Sequence, residues 1–494
     1  MKLKETINII KIVHYPKNSP QVVKTAAEEL QKLNPGMKIR HVAGKDIRHA
    51  PGVLTIAVSG LKELKKLKLQ LPETSSERYI FTKIDTDGSG YIISSHAYYL
   101  YSYIVNLLDN IDQFNAEEYL KGKITIPAYE WHRVSYDYFL TQEGRIQRNF
   151  DRESYIKELA RLGFTHVEVN GLAFPMGLET GPKGETYPMF YTYCPALDQF
   201  VYSELNRGLY PYYYLSANLS YLKENAETAE KYGLVPGMLC FEPRSVPEEF
   251  FEKYPMLRGA RVDHPFRSFK PRYNMTITHP VVREHYAEMV RKLMKEVPEL
   301  GFLNIWTNDS GAGFEHTKSL YVGRNGGAYL IREWKDDAEI AELAGENALR
   351  FLRVLRDAAK ETNPGFRVIT RMESFYGEHD AVWSGLGNDL EIETTSLVQK
   401  GWDMPYTHPK YKDINQINGG SVYQQQFDPK EKTAINKLKK KDANPHFYFA
   451  YGPHSMFDPL LGIPYPELTY KRLKTLSENN VEYLAHHCGT VPPE

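Results

Sequence analysis

The chain has 494 residues, too many for one ordinary hydrophobic core, so two or three domains are expected. Hydrophobic residues make up 42% and charged residues 25%, as in an ordinary globular protein, and Lys plus Arg (61) balance Asp plus Glu (62), which argues against electrostatic binding to nucleic acid or membrane. No apolar run approaches the roughly 18 residues of a membrane span, and Cys194, Cys240 and Cys488 lie too far apart for a disulfide framework or zinc-type spacing.

The start, MKLKETINIIKIV, is basic, but its apolar stretch is interrupted and no small-residue cleavage site follows. It reads as a first strand, Ile7–Val13, so a cytoplasmic location is expected unless an export signal was removed beforehand. Gln21–Leu33 has the spacing of an amphipathic helix, and Val53–Val58 reads as a buried strand followed by a Lys/Leu-rich turn of helix. Tyr79–Ile84 and Gly90–Ser95 flank Asp-Thr-Asp-Gly-Ser-Gly, whose residues suit a hairpin turn. That stretch lacks the flanking helices and closing Glu of a calcium loop, so a plain turn is expected. Ala97–Ile111 continues as an apolar helix, and residues 1–126 together form a small α/β domain.

From residue 127 the rhythm changes to alternating strand and helix. Strands are predicted at Arg133–Phe139, His166–Asn170, Leu234–Phe241, Phe302–Thr307, Arg367–Arg371, Asp389–Thr394, Phe447–Tyr451 and Val481–His486. Helices are predicted at Arg152–Leu162, Leu222–Tyr232, Pro280–Val297, Asp337–Glu361 and Tyr465–Ser477. Eight strands alternating with helices are what a (β/α)8 barrel needs, here over residues 127–494. Glu494 follows the eighth strand closely, so the final helix is expected to be absent from this chain or replaced.

Barrel enzymes place their reactive groups at strand C-terminal ends. After the fourth strand comes Trp306-Thr-Asn308-Asp309-Ser-Gly-Ala-Gly-Phe-Glu315, a polar loop whose glycines permit sharp turns. Its Asp309 is a candidate reactive carboxylate or, alternatively, a helix cap, and Glu315 reads more readily as a surface residue. The fifth strand ends in Arg371-Met-Glu373, where Arg371 either clamps a substrate carboxylate or makes an internal ion pair with Glu373. In the sixth strand, Glu391 and Glu393 alternate with Leu390 and Ile392, so both occupy one face. A carboxylate there is costly unless paired or functional, and Glu393 lies nearer the top.

Arg133, Asn170, Glu242 and the loop residues Arg244 and Trp402 complete the polar and aromatic set at the rim. The 36 Tyr, 22 Phe and 5 Trp suit either sugar rings or an aromatic core. Phosphate-loop, dinucleotide, zinc-protease and nucleophile-elbow motifs are absent from the sequence. The pairs His486-His487 and His446/His454 lack a third ligand at convincing spacing, so neither metal nor cofactor is expected.

The layout resembles the β-N-acetylhexosaminidase and α-glucuronidase superfamily of glycoside hydrolases, in which an α/β domain precedes a TIM barrel. Glu77–Ile111 is similar to that domain's hairpin-plus-helix, and His132-Arg133-Val-Ser-Tyr-Asp-Tyr-Phe139 looks like the barrel's opening strand, where hexosaminidases use an Arg to bind substrate. Gly301–Ile331 resembles the α-glucuronidase loop in its order of apolar strand, Asn-x-x-Gly and Gly-rich stretch, and Val-Ile-Thr-Arg371 resembles that family's fifth-strand region. The α-glucuronidase general-acid Glu falls on Ser310, and the hexosaminidase Asp-Glu pair is absent because Ser310 follows Asp309.

The sequence is therefore expected to encode a distant glycoside hydrolase that removes a terminal sugar from an oligo- or polysaccharide. A uronic acid is favoured if Arg133, Arg244 and Arg371 line one pocket. Asp309, Glu373 and Glu393 are the predicted catalytic carboxylates. Arg133, Asn170, Glu242, Trp306, Asn308, Arg371 and Trp402 are the predicted substrate contacts. A hexosaminidase-like enzyme, a non-catalytic sugar-binding barrel, and an isomerase or lyase using the same carboxylates remain the alternatives.

Overall fold

The computed structural model describes residues 3–44, 47, 49–58, 76–135, 151–171, 196–263, 271–308, 311–317, 336–371, 375, 377–394, 402–403, 416–417, 433, 436–441, 443–451 and 466–488. The chain opens with helix α1 (Leu3–Ile9), not the predicted strand, because Leu3, Thr6, Ile7 and Ile10 are buried at helical spacing. There follow β1 (Ile12–Pro16), α2 (Gln21–Leu33), β2 (Lys38–Val42), β3 (Val53–Val58), β4 (Ile80–Ile84), β5 (Gly90–Ser94), α3 (Ala97–Asp109), α4 (Ala116–Lys121) and β6 (Lys123–Thr125). The Lys/Leu-rich stretch after β3 lies outside the described residues.

These strands form one sheet in the order β2-β1-β3-β5-β4-β6. Its β1, β2, β3 and β5 pairings are parallel, whereas β4 pairs antiparallel with β5 and β6. The turn between β4 and β5 is the predicted hairpin, closed by Ser89 donating its N–H and hydroxyl to Asp87 Oδ1. Gly90 must be glycine there, since a Cβ would collide with the Lys83 carbonyl.

The second part runs β7 (Trp131–Ser135), α5 (Arg152–Arg161), β8 (His166–Glu168), α6 (Tyr212–Lys231), β9 (Val235–Phe241), β10 (Ser245–Val246), α7 (Glu248–Lys253), β11 (Arg258–Arg261), β12 (Tyr273–Met275), α8 (Pro280–Glu296) and β13 (Phe302–Trp306). It continues with α9 (Asp337–Lys360), β14 (Arg367–Arg371), α10 (His379–Ser384), β15 (Leu390–Thr394), β16 (Trp402–Asp403), β17 (Gln416–Ile417), β18 (Pro445–Tyr451), α11 (Pro466–Glu478) and β19 (Tyr483–Cys488). Strands β7, β8, β9, β13, β14, β15, β18 and β19 close into a barrel in sequence order, with β9, β13, β14, β15, β18 and β19 paired in parallel. The architecture is a (β/α)8 barrel preceded by an α/β domain.

Local chemistry sets the helix starts. Asp151 accepts from Ser154 N at 3.1 Å to cap α5, Asp336 accepts from Ala338 N at 2.8 Å to cap α9, and Pro280 opens α8 behind a capping His279. Helix α6 starts at Tyr212, ahead of the predicted Leu222, because burial of Tyr214 and Leu215 outweighs the modest helix propensity of a tyrosine run. Helix α10 and the small sheet β10-β12-β11 after the third barrel strand are features the sequence pattern did not announce.

By internal contacts the chain divides into one unit of Met1–His132, Asp151–Val167 and Glu227–Val235, and a second of Arg133–Phe150, Glu168–Ala226 and Pro236–Glu494. Among the described residues no helix is long and apolar enough to cross a membrane.

Candidate active site

Period-2 alternation sends every other residue of a barrel strand into the lumen. Contacts across non-neighbouring strands identify which residues these are. Arg133 on the first barrel strand hydrogen-bonds through Nη1 to Glu168 on the second and through Nη2 to Glu393 on the sixth. Asn304 on the fourth donates its Nδ2 to Glu168 Oε1 at 3.2 Å and Glu393 Oε2 at 3.3 Å. Side chains from strands one, two, four and six meet only inside the barrel.

This layer is buried, with Arg133, Asn304 and Glu393 at 0% exposure and Glu168 at 6%. One guanidinium stands against two carboxyls. Among the described residues, Arg133 Nε, Asn304 Oδ1 and Glu393 Oε1 have no hydrogen-bond partner. Such a charged, incompletely bonded layer is expensive in a core, where aliphatic residues would pack without that cost.

Below it, Glu391 accepts from His446 Nε2 at 2.7 Å and Asn444 Nδ2 at 2.8 Å, with the Arg367 guanidinium 3.6 Å away. Burial alone would raise the Glu391 pKa, but the His446 hydrogen bond and charge, with Arg367 and Asn444, hold it below the usual carboxylate range. Burial lowers the His446 pKa despite Glu391, so the neutral ring carries its proton on Nε2 toward the carboxylate.

Above the charged layer sit the terminal residues of three strands. The Arg371 guanidinium lies 4.1 Å from the Trp306 ring centroid, and Phe241 meets Trp306 edge-on at 5.8 Å. Trp306 is buried and Arg371 half-buried. Beyond Trp306, Asn308 adopts φ of 52°, and its Oδ1 accepts from Phe314 N at 3.1 Å and Thr317 Oγ1 at 2.9 Å. Asn308 is thus a loop clasp. Burial raises the Glu315 pKa, partly offset by hydrogen bonds with Thr276 and Asn347.

Glu242 points the other way. It shares a face with Cys240, opposite Phe241, and meets Tyr286 of α8 outside the barrel wall. Its Oε1 accepts from Leu197 N at 2.9 Å, and its Oε2 accepts from Arg244 N at 3.0 Å and Tyr286 Oη at 3.2 Å. Burial pushes its pKa up to about 7 despite those hydrogen bonds. Arg244 donates Nη1 to Gln199 Oε1 at 2.7 Å. The Asn170 amide spans the backbone of β9, donating to Leu239 O at 2.7 Å and accepting from Leu239 N at 3.0 Å. The groups expected to meet substrate at Glu242 and Asn170 are therefore engaged in holding the barrel wall.

Of the predicted site, Arg133 and Glu393 come together directly, and Trp306 and Arg371 come together above them. Asp309 and Glu373 lie outside the described residues, and Trp402 is described only by its backbone pairing with Ile417. Sequence reasoning passed over Glu168 and Asn304. Their signal was a polar residue inside an apolar strand, His-Val-Glu168-Val and Phe-Leu-Asn304-Ile, the same signal that singled out Glu391 and Glu393. Among the described residues no cluster of three or more His, Cys, Asp or Glu is arranged to hold a metal ion.

Fold and site together define the class: an α/β domain followed by a (β/α)8 barrel with a charged lumen. No protein-family model and no curated protein matches the sequence. Among solved structures, a GH138 enzyme targeting pectin rhamnogalacturonan II is similar with a TM-score of 0.53 and 10% identity, covering 97% of this chain and 46% of that one. A family GH115 4-O-methyl-α-glucuronidase with specificity for decorated arabinogalactans is similar with a TM-score of 0.50 and 12% identity, covering 97% of this chain and 54% of its own. The chain spans about half the length of these two structures, and what it shares with them is the fold.

Proposed function

We propose that this protein is a glycoside hydrolase that removes a terminal sugar, with a uronic acid favoured, from an oligo- or polysaccharide. The observation that carries this reading is the lumen layer of Arg133, Glu168, Asn304 and Glu393 beneath Trp306 and Arg371. It sets a buried charged layer beneath an aromatic ring and a guanidinium at the strand C-terminal end of a barrel, and a pyranose face and a sugar carboxylate suit that ring and cation. The barrel it shares with two carbohydrate-active enzymes agrees with the reading.

In this reading Asp309 and Glu373, which follow the fourth and fifth barrel strands, transfer the proton and attack or activate water. Glu393, buried in the layer below, holds Arg133 in place. Of the three arginines expected to meet a carboxylate, Arg133 is held by two glutamates and Arg244 donates to Gln199, and Arg371, over the Trp306 ring at the end of the fifth strand, is the one assigned to the anion in this reading. The domain border is proposed near residue 126.

The test is a panel of aryl glycosides, including glucuronides and N-acetylglucosaminides, and oligosaccharides. Wild type is compared with Asp309→Asn, Glu373→Gln, Glu393→Gln and Arg371→Gln. Wild type cleaves at least one member, Asp309→Asn or Glu373→Gln loses about 100-fold or more in kcat, and Arg371→Gln loses activity on the uronide selectively. Sugar binding without turnover across the panel defeats the hydrolase reading. Full activity in both Asp309→Asn and Glu373→Gln defeats the residue assignment.

A further inference from the structure

We propose that Asn274, on the small sheet inserted after the third barrel strand, is a positioning residue for the loop that carries Asp309. The inference rests on the reading above that Asp309 reacts with substrate. Asn274 is 1% exposed, and its amide joins three separate segments. Nδ2 donates to Gly313 O at 2.5 Å and faces Pro243 O at 3.4 Å, while Oδ1 accepts from Ala260 N at 2.7 Å. Gly259 leaves room for this side chain, because a Cβ there would come within 2.5 Å of Asn274 Oδ1.

The backbone around it forms a clamp on residues 311–313. Ser245 N donates to Gly311 O at 2.7 Å, Gly311 N to Val262 O at 3.0 Å, and Gly313 N to Pro243 O at 3.1 Å. Ala312 also bridges Arg244. On the other side, Asn308 ties itself to Phe314 and Thr317. Asp309 and Ser310 are thus the two residues between anchors at Asn308 and Gly311. An insertion that buries a polar amide to hold a loop backbone costs desolvation, which the full set of hydrogen bonds offsets. Fixed anchors on both sides of a reacting carboxylate restrict where it can stand, and a misplacement of about 1 Å costs on the order of 100-fold in rate.

Two variants separate the contacts. Asn274→Asp keeps the acceptor for Ala260 and loses the donor to Gly313, whereas Asn274→Ala loses both. On the aryl glycoside that wild type cleaves, both variants are expected to lower kcat about 10- to 100-fold with KM changed less than about twofold. In an Asp309→Asn background, Asn274→Ala should lower kcat no further, because the two residues act through one group. Amide hydrogen exchange at Gly311 and Gly313 should speed up at least about tenfold in Asn274→Ala, a readout independent of turnover.

Unchanged exchange at those amides overturns the clamp. Unchanged kcat in folded Asn274→Ala, with only a lowered Tm, overturns the positioning role and leaves the hydrolase reading intact. Losses that multiply in the double variant also overturn it. Full activity in Asp309→Asn alone instead removes the reading on which the inference rests.

Discussion

Glu242 gives the sharpest test of how this barrel wall is built. Its carboxyl is 1% exposed behind the third strand, and its pKa rises from an ordinary 4.5 to about 7, chiefly through burial. Below about pH 4.5 the group is protonated in the folded and unfolded chain alike, and it contributes no pH dependence. Between 4.5 and 7 the folded chain binds more protons than the unfolded one, so stability falls as pH rises. Above pH 7 the folded chain carries the charge at full cost. A pKa displaced from 4.5 to about 7 corresponds to about 3 kcal/mol lost across that window. Glu242→Gln has nearly the shape of the protonated acid and cannot ionise. Urea unfolding of both proteins at pH 4.5, 5.5, 6.5 and 7.5, followed by Trp fluorescence, gives their stability difference at each pH. That difference should move toward the variant by about 3 kcal/mol from the lowest pH to the highest. A difference constant to within about 1 kcal/mol would refute the account and imply that Glu242 ionises normally in the folded protein.

Gly237→Ala should destabilise the barrel by about 1–3 kcal/mol, because a Cβ at that lumen position overlaps the Phe302 ring; an unchanged thermal midpoint would count against this packing. Arg133→Met leaves Glu168 and Glu393 facing each other without their cation and should cost about 3–5 kcal/mol, with partial recovery when Glu393→Gln is added. A single variant as stable as wild type by thermal melting would contradict the buried ion cluster. Asn308→Gly accepts the left-handed backbone but loses both clasp bonds, so it should cost about 1–2 kcal/mol and lower kcat; full activity would show that the clasp does not serve the loop.

Much of the frame was legible as a pattern. The eight barrel strands were read from short apolar runs ending in polar residues, and Arg367–Arg371 matched residue for residue. Helix starts at Asp151, Asp336 and Pro280 followed from capping chemistry that acts over three or four residues. The first strand was misread because MKLKETINII carries both an apolar run and a helical stripe, and burial of Leu3, Thr6, Ile7 and Ile10 decides between them. The insert sheet was missed because its strands are two to four residues long, too short for periodicity to register.

The site divided along the same line. Alternation within one strand showed by itself that Glu391 and Glu393 share a face and that a buried carboxylate needs a reason to be there. It could not show that Glu393 pairs with Arg133, 260 residues away in sequence, while Glu391 pairs with His446. Nor could it show that Glu242, also at the end of a strand, turns outward to Tyr286 instead of inward. Periodicity along a chain fixes relative faces, since each residue's direction depends only on its neighbours. Which face is the lumen, and which distant charge completes each pair, depends on closure of the barrel, and only the tertiary structure decides it.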